Sequence, residues 1–151
     1  MPKLAEQIAL TGNVVITVND VATGKMIARM KRKNLVVLAG RNLVRDLLNG
    51  PTQYVTHLAV GTSATAISST QTALVAEVFR DQITQRITSD GQLRLKYYLS
   101  STSANGNTLQ EAGLFNAASA GTMFARVATV AIAKTASITI TYDWSINIGA
   151  A

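Results

Sequence analysis

Ile138-Thr-Ile-Thr-Tyr-Asp-Trp-Ser-Ile-Asn-Ile148 is the stretch whose reading decides the fold. Its even positions are Ile138, Ile140, Tyr142, Trp144, Ile146 and Ile148; its odd positions are Thr139, Thr141, Asp143, Ser145 and Asn147. Successive side chains of a strand point to opposite faces, so this run has one apolar face and one polar face. At about 3.3 Å per residue it reaches roughly 35 Å, beyond the usual five or six residues of a strand. So long a strand needs a partner sheet to cover its apolar side. Trp144, in phase with the isoleucines, is expected in the core. Asp143, on the polar face, is expected to pair with a basic neighbour, while Thr141 and Ser145 should be accessible or face another subunit.

The 151 residues fit one domain, long enough to bury about two-thirds of the extended surface. Apolar residues make up 48% and charged residues 15%, which argues against long disordered stretches. The absence of cysteine excludes disulfides, thiolate metal sites and a cysteine nucleophile. Met1 to Gln7 lacks the apolar run of a signal peptide, and no apolar stretch is long enough to span a bilayer, so no membrane partner is expected. A mean hydropathy of +0.21 without a membrane segment points to apolar surface buried between subunits.

The net charge is +6, and five basic residues fall in one short window: Lys25, Arg29, Lys31, Arg32 and Lys33. They are the candidate partner-binding residues. Such a patch suits an acidic protein surface or nucleic acid. It also suits a solvated strand edge whose charge prevents edge-to-edge pairing. The edge, or docking to an acidic protein neighbour, is the reading preferred over nucleic acid.

Taken in order, residues 1–12 show no clear period and are expected to form an arm before a single domain over 13–151. Val14, Ile16 and Val18 alternate, and turn formers at Asn19-Asp20 and Thr23-Gly24 predict a first hairpin over 13–33. Residues 38–49 form the one convincing helix, with Leu43, Val44, Leu47 and Leu48 on one face. Gly50-Pro51 ends it, the glycine suiting a left-handed cap. Tyr54 to Val60 reads as a strand, and 61–73, rich in Ser, Thr and Ala, as the longest loop. Asp81 to Thr88 and Gln92 to Leu99 predict a hairpin turning at Asp90-Gly91, with Ile83, Ile87, Leu93, Leu95, Tyr97 and Leu99 facing one way. Asn105-Gly106 marks a further turn, followed by strands over 109–115, 123–133 and 138–148. About eight strands and one helix predict a mainly β, two-layer antiparallel sandwich with the helix near 38–49 across one end.

Reaction chemistry finds little support. His57 is the lone histidine, so a two-histidine metal site or a histidine relay is ruled out. The eight acids are scattered singly, without the spacing of a calcium loop or of a two-carboxylate hydrolase. No phosphate loop, dinucleotide fingerprint or nucleophile elbow is present. No catalytic residue, metal or cofactor is assigned, and the chain is not expected to be an enzyme. A basic nucleic-acid-binding β-barrel is the rival from another class. Of the eight aromatics only Tyr98, beside Arg94 and Lys96, fits a base-stacking platform, so nucleic acid is not the expected partner.

The most specific segment is Asn105-Gly-Asn-Thr-Leu-Gln-Glu-Ala-Gly-Leu-Phe-Asn-Ala-Ala-Ser-Ala-Gly-Thr-Met-Phe-Ala-Arg126. It resembles small virion structural proteins of tailed bacteriophages. These pair a Glu-Ala/Ile-Gly-Leu-Phe motif with a Gly-Thr-Met-x-Ala-Arg strand, a Lys-Thr turn and an alternating final strand ending near a Trp. Here the corresponding features are Glu111 to Phe115, Gly121 to Arg126, Lys134-Thr135 and the strand through Trp144. Upstream, Gly40 to Leu48, His57 to Thr62 and Thr72 to Arg80 also look similar, so the likeness covers about residues 34–148. The Glu-x-Gly-Leu-Phe motif recurs in the amino-terminal, virion-attaching modules of phage tail-collar fibres. The basic window at 13–33 is less typical of the family.

The resemblance implies a tail or baseplate protein that attaches or forms part of a fibre, or else a capsid decoration protein. It implies other virion proteins and further copies of the chain as partners, three-fold symmetry by analogy with phage fibres, and a virion location after synthesis in the bacterial cytoplasm. Physically, Glu111 should anchor a backbone or an arginine such as Arg126 at the sheet edge. Gly113 should permit close backbone approach, and Leu114 and Phe115 should plug the core before the turn at 116–121. The arm and the 61–73 loop are expected to order against a neighbouring subunit.

Overall fold

The computed structural model describes residues 8–50 and 54–150. It is a mainly β protein, with two antiparallel five-stranded sheets packed as a sandwich and one helix. The strands are β1 (Ile8–Asp20), β2 (Met26–Lys33), β3 (Leu35–Val36), β4 (His57–Gly61), β5 (Glu77–Gln82), β6 (Gln85–Ser89), β7 (Gln92–Leu99), β8 (Thr108–Phe115), β9 (Met123–Ala133) and β10 (Ile138–Ala150). The helix α1 spans Leu38–Asn49, where the apolar spacing predicts it. One sheet runs β2-β1-β10-β7-β6 and the other β3-β9-β8-β4-β5.

β10 is the middle strand of the first sheet, and its alternation sets the phase of both neighbours. Trp144 lies opposite Val14 and Leu95, Tyr142 opposite Ile16 and Tyr97, and Ile140 opposite Val18 and Leu99. All nine of these side chains are buried, so three cross-strand rows form the centre of this sheet's contribution to the core. Leu58, Val60, Ala112, Leu114, Ala125 and Val127 supply the opposing layer. The alternation weakens at both ends of β10. Ile148 is 50% exposed because β10 there runs past β7, whose ladder ends at Asn147, and Thr139 is buried near the other end.

The middle of the second sheet, at β4, β8 and the first half of β9, is buried on both sides. Its outer face carries a separate cluster of Val37, Ala59, Leu74, Phe115 and Met123 beneath α1 and the 62–76 loop. That double cover explains why β4 is apolar without alternation. The helix sits directly on β9: a Cβ at Gly40 would lie 2.1 Å from the Phe124 carbonyl oxygen. The Val37 N–H donates to the same oxygen.

Several expectations change. The described residues form ten strands, because the predicted strand 81–88 is two and the short β3 was not expected. Asp81 and Gln82 end β5 in the second sheet, the chain crosses at Ile83 and Thr84, and β6 joins the first sheet. Ile83 is buried at the crossing, but Ile87 pairs with Arg94 and faces outward, away from Leu95 and Tyr97. At the β6–β7 turn only Gly91 has positive φ. Leu43 packs into the core, whereas Leu47 and Leu48, on the same apolar face, are 46% and 88% exposed. Gly50 closes the helix through its N–H to the Asp46 carbonyl, but at φ 157° and ψ −171° it is not the left-handed cap expected. Ile8–Gly12 belong to β1, paired with Ile146–Ala150, so the sheet begins inside the region expected as an arm. Residues 1–7 and Pro51 lie outside the described residues.

Candidate interaction surface

Because β10's apolar positions face the core, its polar positions face outward, and pairing extends that polar face across the first sheet. One row runs Lys33, Asn13, Ser145, Arg94 and Ile87. The next runs Lys31, Val15, Asp143, Lys96 and Gln85, and the third Arg29, Thr17, Thr141 and Tyr98. Five cations therefore share one face with a single acid. Asp143 accepts from Arg94 Nε at 3.2 Å and from Arg94 Nη2, with Lys96 Nζ 3.7 Å away. The expected basic partner of Asp143 is thus Arg94. Arg29, Lys31 and Lys33 remain on the β2 side, where their direct cross-strand neighbours are Thr17, Val15 and Asn13 rather than an acid.

The basic window is divided by the strand's own geometry. Arg29, Lys31 and Lys33 point outward, while Arg32 lies opposite Val14 on the inner side, with its Nη1 bonded to the Lys31 carbonyl. Lys25 stands just before β2, and its carbonyl accepts the Asp20 N–H. What joins the outward three to Arg94 and Lys96 is the order β2-β1-β10-β7. That order brings together residues more than sixty positions apart.

β2 pairs with β1 only from Asn13 onward, so among the described residues Ile8–Thr11 have no ladder partner on that side. A groove of about 600 Å³ opens where β2 stops, lined by Leu10, Thr11, Lys31, Lys33, Asn34, Leu35, Arg41 and Ser69 among others. No acidic residue lines it. At its floor Asn34 lies across Gly12, where a Cβ would meet Asn34 Oδ1 at 2.2 Å. The same oxygen accepts the Trp144 indole N–H at 3.0 Å. This fixes the amide's orientation, and its Nδ2 is left buried without a hydrogen-bond partner. A second hollow of about 310 Å³ continues over the sheet past Asn13, Arg29, Lys31, Arg94 and Asp143.

The motif residues form a different unit, on the covered face of the second sheet. Glu111 and Arg126 are both fully buried. Glu111 Oε1 accepts the Ala76 N–H at 2.7 Å; Oε2 accepts the Val75 N–H at 3.1 Å and Arg126 Nε–H at 2.9 Å. Arg126 donates onward to the Thr65 carbonyl at 3.0 Å and to Gln71 Oε1 at 3.3 Å. The pair lies in the middle of the sheet rather than at its edge, since β8 has β4 on one side and β9 on the other. It holds the 62–76 loop down within the chain itself, where ordering by a neighbouring subunit was expected. The close approach at Gly113 is made by the Leu74 side chain, whose Cδ2 would lie 2.9 Å from an added Cβ. Leu114 and Phe115 are buried on opposite faces, and the Arg80 guanidinium stacks 3.7 Å from the Phe115 ring centre.

Two polar groups carry buried atoms that the sequence does not signal. Lys134 is fully buried and donates from Nζ to Asn105 Oδ1 at 2.7 Å and to the Thr135 carbonyl at 3.0 Å. Burial lowers its pKa, and neither hydrogen-bond partner is a carboxylate. Asn34 likewise carries no local signal that it reaches an indole across the sandwich. His57 bonds Thr56 Oγ1 through Nδ1. The described residues contain no group of His, Cys, Asp or Glu suited to a metal ion, and no helix among them is long and apolar enough to cross a membrane. Tyr98 stands exposed on the cationic face; Tyr54 is also exposed, beneath the Arg86 guanidinium.

Comparison with protein-family models, curated proteins and solved structures finds no match to this chain.

Proposed function

We propose that the chain is a structural subunit of a tailed-bacteriophage virion, acting by symmetric protein–protein assembly and without a chemical step. Within the virion we place it first in the tail or baseplate, attaching or forming part of a fibre. The observation that carries this reading is the role of the residues behind the family resemblance. Glu111, Gly113, Phe115 and Arg126 build one buried unit that clamps a 15-residue loop onto a sheet. Such a unit supports rigidity rather than reaction. Subunits repeated by symmetry need it, because many weak contacts gain strength through effective concentration.

A trimer is the assembly proposed for it, with acidic virion proteins as further partners. The five-cation face with Tyr98 is the one feature favouring nucleic acid instead. The test is electron cryo-microscopy of particles carrying a tagged copy of the chain. Symmetric copies at the tail tip or fibre base are expected. Density over the capsid would replace this placement with head decoration, and absence from purified particles would overturn the proposal.

A further inference from the structure

We propose that the groove beside the open edge of β1 is a strand-addition site for an extended, acidic and partly apolar segment of another protein. This inference deepens the assembly reading above and rests on it only for the partner's origin.

Three independent observations meet at the groove. First, the β1 edge at Ile8–Thr11 is in line with β2 but, among the described residues, unpaired on that side. Its free backbone groups can bond an extended chain that continues the path of β2. Second, Lys31, Lys33 and Arg41 line the groove without an acid, so a segment bearing carboxylates is favoured there. Third, Leu10, Leu35 and Val36 line the same space, which suits apolar side chains on the segment's other face. A strand presents alternate side chains to two sides, so an acidic–apolar alternation satisfies the cationic and apolar linings together. A phosphodiester backbone offers neither ladder hydrogen bonds nor apolar side chains, and this favours a peptide over nucleic acid.

The site is tested on the full-length protein by fluorescence anisotropy in about 50 mM salt, where charge interactions are weakly screened. The probes are labelled decamers alternating Asp or Glu with Leu or Ile, the same decamers with Asn or Gln in place of the acids, acidic decamers N-methylated at alternate residues, and a ten-nucleotide single strand of deoxythymidine. Saturable binding of the acidic decamers is expected, at least about tenfold tighter than their amide or N-methylated versions. Lys31→Glu with Arg41→Glu should weaken it at least about tenfold, and Arg45→Glu, exposed and outside the groove, should change it less than about twofold. Both variants should melt like the parent by circular dichroism.

Equal binding of the N-methylated decamers would remove strand addition, and an unchanged affinity in the double variant would remove the groove. Absence of any decamer binding overturns the proposal. So does tighter binding of the oligonucleotide that the double variant abolishes. None of these outcomes depends on particle incorporation, so the virion reading and this site can fail separately.

Discussion

Replacing Arg126 by Met keeps most of the side chain's length and apolar stem but removes its charge and every donor. In the native chain that guanidinium neutralises Glu111 from 2.8 Å, with both side chains fully buried, and reaches the Thr65 carbonyl and Gln71 from the same fork. After the substitution Glu111 retains only the Val75 and Ala76 N–H groups. Breaking a buried pair by deleting one partner leaves an uncompensated charge and costs about 3–5 kcal/mol, a large share of the 5–15 kcal/mol typical of a whole domain. In urea, with an m-value of about 2 kcal/mol per molar, the midpoint should fall by roughly 2 M at unchanged slope. Native-state hydrogen exchange should also show the amides of residues 62–76 opening at a lower free energy than those of β10. Glu111→Gln, which strands the arginine instead, should cost a similar amount. The double variant should cost clearly less than the two single losses added, because the pair is one interaction. A loss under about 1 kcal/mol for Arg126→Met, or a loop whose exchange does not change, would refute the clamp.

Trp144→Ala should cost about 3–5 kcal/mol by chemical denaturation, since the ring is fully buried and its N–H also satisfies Asn34; a loss below about 1 kcal/mol would put it outside the core. Gly40→Ala should destabilise by about 1–3 kcal/mol despite alanine's better helix propensity, because the methyl would press on the Phe124 carbonyl, and a stabilised variant would show that α1 does not sit on β9. Tyr97 and Tyr142 are held protonated well above the ordinary phenol value of 10.0, by burial first and then by the charge of Asp81 for Tyr97 and of Tyr97 for Tyr142. A raised native pKa gives stability that is complete below pH about 10 and is lost as pH climbs further, because the unfolded chain then releases its phenol protons first. Lys134, lowered by burial, has the opposite sign: its cost at neutral pH is relieved as pH approaches 10.5. Melting temperatures should therefore hold or rise slightly up to pH about 10 and fall beyond it, and in the native protein these two phenols should titrate late at 295 nm. Ordinary titration of all tyrosines without unfolding would contradict their burial.

Local alternation was enough to determine the role of 138–148: the phase that puts Ile140, Tyr142, Trp144 and Ile146 inside is the phase observed. The single helix at 38–49 and the two-layer β class were equally legible, because a period of two or 3.6 residues is a property of neighbours along the chain. Partnership is not. Which strands pair is decided by long-range closure, so the sequence reading missed that the chain changes sheets at Ile83, turning Ile87 outward and making two strands of one. The same pairing order joined Arg29, Lys31 and Lys33 to Arg94 and Lys96, while alternation along β2 turns Arg32 to the inner side. Glu111 and Arg126 could be suspected as partners from chemistry alone. Only packing revealed that they also hold the backbone at 65 and 75–76, and that Leu47 and Leu48, on the apolar helix face with Leu43, stay exposed. Periodicity states which face a residue occupies, whereas the energy of a buried charge or a free strand edge depends on what tertiary closure sets against that face.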